Sequence, residues 1–178
     1  MSSPLRISVA KRTPAVAAQL AELGRQTFHD TFAADNTAED MADFLAANFS
    51  PEIQLAELND PQIVFLVAYM QQEMVGYAKL GLNSGLGLEE GKSSVGRLEI
   101  ERLYVRHDWI GTGLGASLMR RAIEEARSQQ CRTVVLGVWE RNQHAIEFYK
   151  RFGFREIGRH EFRVGQDVQT DLILRKGL

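Results

Sequence analysis

The sequence predicts an α/β fold in which an antiparallel meander leads into a β-α-β-α-β unit, around a mixed central sheet of about seven strands. β-rich runs alternate with amphipathic helical patterns through the second half of the chain. The glycine-rich segment Gly111–Gly115 stands between a strand-like run and a helix, and a crossover of this kind makes the flanking strands parallel. The 178 residues contain no repeat and no long linker, so we expect one domain over residues 1–178.

The N-terminal part predicts one short strand followed by three helices. Leu5–Val9 is typical of the strand. Each helix start is marked by a hydroxyl side chain able to cap the free N–H groups of a first turn, at Thr13, Thr37 and Ser50. Proline follows the first and third caps, where its missing N–H leaves no hydrogen bond unmade.

The remaining chain alternates strands and helices. Residues 62–69 and 74–82 are β-rich and separated by a short turn, which predicts an antiparallel hairpin. Residues 83–94 are rich in glycine and polar side chains and predict a mobile loop. The elements expected after it are strand Val95–Val105, helix Gly113–Gln130, strand Thr133–Trp139, helix Asn142–Phe152, and a final hairpin of Phe154–Val164 and Val168–Leu174.

The glycine segment predicts an anion site. Glycines tolerate left-handed backbone angles and close approach to a ligand, and the following helix start attracts phosphate. Gly111, Gly113 and Ala116 satisfy the dinucleotide pattern G-x-G-x-x-G/A. That fingerprint normally follows a first strand, whereas roughly ninety residues precede the glycines here. A triphosphate P-loop is excluded because no Gly-Lys-Ser/Thr follows.

Composition and charge narrow the partners. The net charge is −2, and nine acids but no Lys or Arg occur between Arg25 and Lys79, which disfavours a nucleic-acid binder and favours a cationic ligand in that region. The N-terminus lacks a signal-peptide core and the longest apolar run is Ile63–Met70, so we expect a soluble cytoplasmic protein without membrane contact. The single cysteine, Cys131, suits a buried structural thiol.

Two motifs between Leu98 and Leu174 carry a family resemblance. The first is I-G-T-G-L-G at 110–115, continued by Ala116. The second is N-x-x-A-x-x-F-Y-x-x-x-G-F, formed by Asn142, Ala145, Phe148, Tyr149, Gly153 and Phe154. Together they resemble the GNAT superfamily of acetyl-coenzyme A dependent N-acetyltransferases. Ile110 departs from the family, which usually has Gln or Arg there.

The resemblance implies acetyl-CoA as cosubstrate and no metal. Backbone N–H groups of the glycine loop would hold the pyrophosphate, and the strand before it would hydrogen-bond pantetheine as an added strand. A backbone N–H near Leu103 would polarise the thioester carbonyl, and Tyr149 would protonate the departing thiolate. The implied cofactor-binding residues are Leu103, Tyr104, Val105, Gly111, Thr112, Gly113, Leu114, Gly115, Ala116, Asn142 and Tyr149.

An amine acceptor is almost fully protonated at neutral pH and needs a base before it can attack. Glu99 and Glu101 are the candidates, expected to alternate with Leu103 and Val105 on one strand face, and the family register favours Glu99. The alternative is that both carboxylates are solvated or paired with Arg97 or Arg102.

Acceptor contacts are expected from the acidic N-terminal region as well. The resemblance places the acceptor site near the end of the first helix, which makes His29 and Asp30 candidate substrate-binding residues beside Glu99 and His29 a weaker candidate base. The other histidines, at positions 107, 144 and 160, suit surface roles. Asp108 beside the glycine loop would repel pyrophosphate unless it turns outward.

The acceptor class rests on a finer similarity. V-W-E-R-N-Q-H-A-I-E-F-Y-K-R-F-G-F and the later D-V-Q-T-D-L-I-L are similar to bacterial spermidine/spermine acetyltransferases of the PaiA type. This implies a small cationic amine, with a peptide N-terminus or lysine as the alternative acceptor. A non-catalytic acyl-CoA sensor and an NAD-binding protein are alternatives of other classes. An exposed C-terminal strand edge would allow a homodimer.

Overall fold

A computed structural model describes residues 4–178 and confirms a mixed α/β fold. In chain order the elements are β1 (Arg6–Val9), α1 (Pro14–Phe32), α2 (Ala38–Asn48), α3 (Pro51–Asn59), β2 (Ile63–Met70), β3 (Glu73–Leu82), β4 (Arg97–Val105), α4 (Leu114–Ser128), β5 (Thr133–Trp139), α5 (Gln143–Arg151), β6 (Arg155–Val164) and β7 (Asp167–Gly177). Short 3-10 turns follow α1 at Ala33–Asp35 and β4 at His107–Trp109. The expected element order is therefore observed.

The seven strands form one sheet in the order β1-β2-β3-β4-β5-β7-β6. β4 and β5 are parallel, as the crossover rule requires, and the other neighbouring strands are antiparallel. A doubly wound dinucleotide fold needs a mostly parallel sheet, so this order excludes that alternative. β7 lies between β5 and β6, which corrects the expected free C-terminal edge: the sheet edges are β1 and β6.

Side-chain caps start the three N-terminal helices. The hydroxyl of Thr13 accepts a hydrogen bond from the Val16 N–H at 3.3 Å. The Thr37 and Ser50 hydroxyls accept equivalent bonds three residues on, at 3.1 and 3.2 Å. Each bond satisfies one N–H that a first helical turn leaves free. The predicted starts of α1, α2 and α3 are thus confirmed.

The sheet separates two layers of apolar packing. On one side Leu98, Leu118 and Leu136 belong to a buried cluster that joins α4 to the sheet. On the other, Leu20 of α1 packs with Phe65 and others. Cys131 touches the first cluster but is only half-buried, since it lies at the exposed end of α4. No helix among residues 4–178 is long and apolar enough to cross a membrane.

A β-bulge interrupts β4 at Glu101. Ile100 pairs with Leu80 of β3 while Arg102 pairs with the adjacent Lys79, so Glu101 has no partner. The extra residue reverses which face each later side chain occupies. Leu103 and Val105 consequently pack in the α4 cluster with Leu98 and Ile100. The expected common face for Glu99, Glu101, Leu103 and Val105 is therefore wrong, because the expectation assumed unbroken alternation.

The parallel strands β4 and β5 separate soon after they meet. They pair over three positions, ending where Glu99 stands opposite Val135. Beyond that point the strands diverge, and the glycine loop and the start of α5 lie at the open end. Ligands of open α/β sheets bind at the carboxyl ends of parallel strands. The divergence therefore positions the candidate site.

Candidate active site

Two cavities meet between the diverging ends of β4 and β5. We call the larger, of about 730 Å³, the glycine cleft; it runs along the glycine loop and the start of α5. The smaller, of about 360 Å³, lies between α1, α2 and the sheet, and we call it the aromatic cavity. Leu103, Trp139, Asn142 and Tyr149 line both cavities. A group bound in one can therefore reach a group bound in the other.

The glycine loop presents bare backbone to the cleft. Gly111 and Gly113 have φ of 81° and 87°, a left-handed conformation that suits glycine. A Cβ atom built at either residue meets no atom within 4 Å, so both face open space. Gly113 caps α4 without a side chain, and the first-turn N–H groups of this helix have no intrahelical partner. This arrangement fits a phosphate group.

Thr112 and Leu114 differ from the glycines around them. The N–H and hydroxyl of Thr112 both donate to the Trp109 carbonyl, so that N–H is already used. The side chain of Leu114 is buried under the loop and anchors it to the core. Thr112 and Leu114 therefore offer the cleft less than predicted. The N–H groups of the glycines and of the first turn of α4 are the predicted loop contacts that still face the cleft.

Arg106 holds the carboxylate that stands nearest the loop. Arg106 holds Asp108 through two hydrogen bonds of 2.6 and 2.9 Å, and it also binds Glu73 at 3.0 Å. The Asp108 carboxylate therefore does not stand unpaired beside the loop, because Arg106 neutralises it. Ile110 lines the cleft and is 55% exposed, so it offers an apolar surface where the family usually has a polar side chain.

The peptide groups of β4 alternate between β3 and the gap toward β5. The Arg106 N–H donates to Val75 of β3 at 2.9 Å. By strand alternation, the peptide groups of Tyr104 also face β3, while those of Leu103 and Val105 face the gap. Leu103 and Val105 are thus free to pair with an extended ligand. The Tyr104 side chain instead lines the aromatic cavity.

Asn142 and Tyr149 lie on α5 between the two cavities. The Asn142 side chain caps the helix by accepting the Ala145 N–H at 3.2 Å. Tyr149 packs edge-on against Phe148 and Phe154, at 5.4 and 5.9 Å between ring centres. Burial, and next the nearby Tyr104, raise the pKa of the Tyr149 hydroxyl, which therefore stays protonated at neutral pH.

Aromatic rings form much of the wall of the aromatic cavity. Phe28 stacks on Phe32 and Phe44, with centroids 4.4 and 4.2 Å apart, and Phe32 lies 5.1 Å from Trp139. Phe49, Tyr104 and Phe162 complete the wall. The faces of such rings attract cations.

Glu99 and Glu101 both line the aromatic cavity, but their surroundings differ. Glu99 Oε2 accepts the Ser84 hydroxyl at 2.5 Å. Burial is the main cause that raises the pKa of Glu99; the Ser84 hydrogen bond opposes it. Glu101 is ion-paired with Lys79 at 2.6 Å, and Lys79 also binds Glu57 at 2.6 Å. The alternative, a pairing of these carboxylates with Arg97 or Arg102, is observed for neither glutamate; the partner of Glu101 is Lys79.

The predicted acceptor contacts of α1 lie elsewhere. His29 and Asp30 are exposed, with His29 Nδ1 3.9 Å from Asp30 Oδ1, and neither lines either cavity. The α1 residues that do line the aromatic cavity are Thr27, Phe28, Thr31 and Phe32. The face of the helix explains the difference, because positions 29 and 30 point away from the sheet. The acids of residues 26–78 contribute no carboxylate to this cavity.

Asp171 on β7 is the cavity carboxylate that sequence reasoning missed. It lines the aromatic cavity and lies 3.8 Å from His160 Nε2, so His160 is not simply a surface residue. Gly137 on β5 leaves the space beneath both side chains open. Two features of the sequence could have indicated this site: the acid that begins the apolar run D-L-I-L of β7, and the glycine within β5.

Comparison with known proteins agrees with this geometry. The model of the acetyltransferase (GNAT) family matches residues 25–154. An uncharacterised N-acetyltransferase of Lactobacillus delbrueckii subsp. lactis is 36% identical over 156 residues, covering 88% of each protein. The spermine/spermidine N(1)-acetyltransferase of Bacillus subtilis (strain 168) is 33% identical over 103 residues, 57% of this chain and 65% of that protein.

Solved structures share the fold. The crystal structure of the PaiA N-acetyltransferase of Thermoplasma acidophilum in complex with coenzyme A superposes with a TM-score of 0.76 at 20% identity, covering 97% of this chain and 99% of that one. The chain therefore belongs to the GNAT family of acetyltransferases, and it is an acyltransferase.

Proposed function

We propose that this protein transfers the acetyl group of acetyl-CoA directly to a primary amine of a small cationic acceptor, with spermidine and spermine as the leading candidates. The observation that carries the proposal is the junction of a phosphate-fitting cleft with an aromatic, carboxylate-bearing cavity at Tyr149 and Leu103. The coenzyme A in the related PaiA structure and the substrate of the Bacillus subtilis relative support it.

The glycine cleft would hold the cosubstrate. The N–H groups of Gly111, Gly113, Gly115 and Ala116 are positioned for pyrophosphate at the positive end of α4. The peptide groups of Leu103 and Val105 supply the strand edge for pantetheine, and Asn142 lines the same path. Acetyl-CoA supplies the acyl group as a thioester.

Three groups of the chain then serve the transfer. Glu99 accepts a proton from the acceptor ammonium, directly or through water, because within residues 4–178 its carboxylate is held by the Ser84 hydroxyl and not by an ion pair with Lys or Arg. The Leu103 N–H donates to the thioester carbonyl oxygen as negative charge develops there. As the C–N bond forms and the C–S bond breaks, the Tyr149 hydroxyl donates its proton to the departing sulfur, and the nitrogen loses its second proton, which restores the Tyr149 hydroxyl; Glu99 releases the first proton to solvent. Glu101 is the weaker candidate base, since Lys79 stabilises its charged form.

The walls of the aromatic cavity favour a cationic acceptor. Phe28, Phe32 and Trp139 present ring surfaces, and Glu99 and Asp171 present carboxylates. The cavity volume of about 360 Å³ suits a small amine within the range of small-molecule pockets.

The test is thiol release from acetyl-CoA across a panel of spermidine, spermine, lysine, aminoglycosides and peptides with free N-termini. We expect saturable release with the polyamines. Turnover of a peptide amine alone would overturn the proposed acceptor while leaving acetyl transfer intact. Binding of acetyl-CoA in calorimetry without turnover of any amine would instead support a non-catalytic acyl-CoA sensor.

A further inference from the structure

Asp171 is a buried carboxylate that takes no part in the proton transfers and bond changes described above. The residue is 8% exposed and lines the aromatic cavity from β7. Its Oδ1 atom accepts no hydrogen bond from residues 4–178. Among residues 4–178, the basic side chain within 4 Å of Oδ2 is His160, whose Nε2 lies at 3.8 Å, beyond hydrogen-bond length. A buried carboxylate without a partner is unfavourable and calls for a cation or a donor.

Gly137 makes this carboxylate reachable from the cavity. A Cβ atom at position 137 would stand 3.2 Å from Asp171 Oδ2 and 3.1 Å from His160 Nε2. The side chains of both residues therefore lean over β5, toward the strand that carries Glu99. Any larger residue at position 137 would occupy the space between them.

Two carboxylates of the cavity have no Lys or Arg partner among residues 4–178. Glu101 is neutralised by Lys79. Glu99 accepts a hydroxyl from Ser84, and in the part of the chain that the structure describes no Lys or Arg forms an ion pair with Glu99 or Asp171. β4 and β7 flank β5; Glu99 stands opposite Val135 and Asp171 opposite Trp139, so the two carboxylates approach the cavity from the two neighbours of β5.

We propose that Asp171 determines acceptor specificity by binding the second, non-reacting ammonium group of a diamine or polyamine while the first lies beside Glu99. The proposal rests on the proposed function and adds the group that distinguishes a diamine from a monoamine. His160 lies beside Asp171 and limits the space around Oδ2. The ammonium would donate charge-assisted hydrogen bonds to the carboxylate.

The test compares spermidine and cadaverine with pentylamine as acceptors for the wild type and for Asp171→Asn. We expect the variant to raise KM for both polycations by about tenfold or more, with kcat changed less than about threefold. KM for pentylamine and for acetyl-CoA should not change. Glu161→Gln is the matched control. Glu161 follows His160 on β6 and its side chain is exposed, so the substitution removes one negative charge outside the cavity.

Each outcome decides the proposal. A variant that loses the preference for diamines over pentylamine supports it. A variant that keeps the preference, or that loses kcat equally for all amines, overturns it and assigns Asp171 a structural or proton-transfer role. Gly137→Ala gives a second reading, since the added methyl group should raise KM for polycations in the same selective way. If the wild type acetylates none of these amines, the proposed function itself falls.

Discussion

The Ser84 hydroxyl lies 2.5 Å from Glu99 Oε2 and ties the loop after β3 to the carboxylate at the last β4 position that pairs with β5. Arg97 fastens the same loop by donating to the carbonyls of Ser84 and Leu86, at 3.3 and 2.8 Å. The loop expected to be mobile is thus held at its start. Its contact with Glu99 gives the proposed base a neighbour that stabilises the charged form.

Ser84→Ala should move the pH dependence of turnover. The hydrogen bond from Ser84 lowers the pKa of Glu99 against the raising effect of burial, so its removal raises that pKa further. A base acts only when deprotonated, so the rising limb of kcat/KM against pH should shift to higher pH. Ser93→Ala is the control, because Ser93 accepts only the exposed Val95 N–H in the same loop. Equal profiles for both variants would remove Glu99 from the role of base.

Glu99→Gln should lower kcat by roughly a hundredfold and abolish the rising limb, since general bases contribute about 10²- to 10⁴-fold. Glu101→Gln should instead disturb the ion pair with Lys79, which is 7% exposed, and reduce stability more than turnover. Steady-state kinetics and urea unfolding on both variants separate the roles. The reverse pattern would make Glu101 the base.

Tyr149→Phe should lower kcat by roughly a hundredfold while KM for acetyl-CoA changes little, because only the proton donor is lost. The matched control is Tyr69→Phe, whose hydroxyl donates to Gln19 at 2.7 Å and lines neither cavity. Pre-steady-state and steady-state thiol release measure the effect. Wild-type kcat in Tyr149→Phe would show that water protonates the thiolate.

Gly113→Ala should weaken acetyl-CoA binding as well as fold stability. The left-handed φ of 87° strains a side chain by about 1 kcal/mol, and the new methyl group points into the cleft. Gly91→Ala shares a φ of 79° and open surroundings but lies in the loop after β3, so it should show only the stability effect. Calorimetric titration with coenzyme A distinguishes them, and equal affinities would mean that the loop does not hold the phosphates.

Asp171 should make stability fall as pH rises. Burial raises the pKa of Asp171 to about 6, opposed by His160. The folded state therefore holds this proton more tightly than the unfolded chain, whose Asp pKa is about 3.9, and the free energy of unfolding declines between about pH 4 and pH 6. The decline is on the order of 3 kcal/mol from two pKa units.

Asp171→Asn carries no such proton, which makes it the reference for this prediction. The free energy of unfolding of Asp171→Asn should rise relative to that of the wild type as pH rises from 4 to 7. Urea denaturation at several pH values measures this difference. Saturating spermidine should reduce the gain by neutralising the wild-type carboxylate. A difference between the two proteins that stays constant with pH would contradict a raised pKa.

Local signals predicted the elements that local chemistry determines. The caps at Thr13, Thr37 and Ser50, the glycine loop and the position of Tyr149 on a helix follow from short-range patterns. The bulge at Glu101 did not, because it arises from pairing with β3 rather than from residues 97–105 themselves. The strand predicted to end at Leu174 continues to Gly177, since β5 pairs with it through Thr133.

The acceptor side of the site depends on long-range packing, which a local pattern does not contain. The family resemblance suggested His29 and Asp30, whereas the residues of this helix that line the aromatic cavity include Thr27 and Phe28. Asp171 reaches the cavity only because β7 lies beside β5 and Gly137 leaves room. A local sequence pattern predicts neither the order of strands in a sheet nor which side chains lie beside a glycine.

Acetyl transfer from acetyl-CoA to spermidine is tested most directly by a time course in which released thiol and acetylated amine are both quantified for the wild type and for Glu99→Gln. The wild type should form one acetylamine for each thiol released, at a saturable rate that Glu99→Gln lowers by about a hundredfold. No acetylated spermidine at any concentration, with acetylation of a peptide amine under the same conditions, would contradict it.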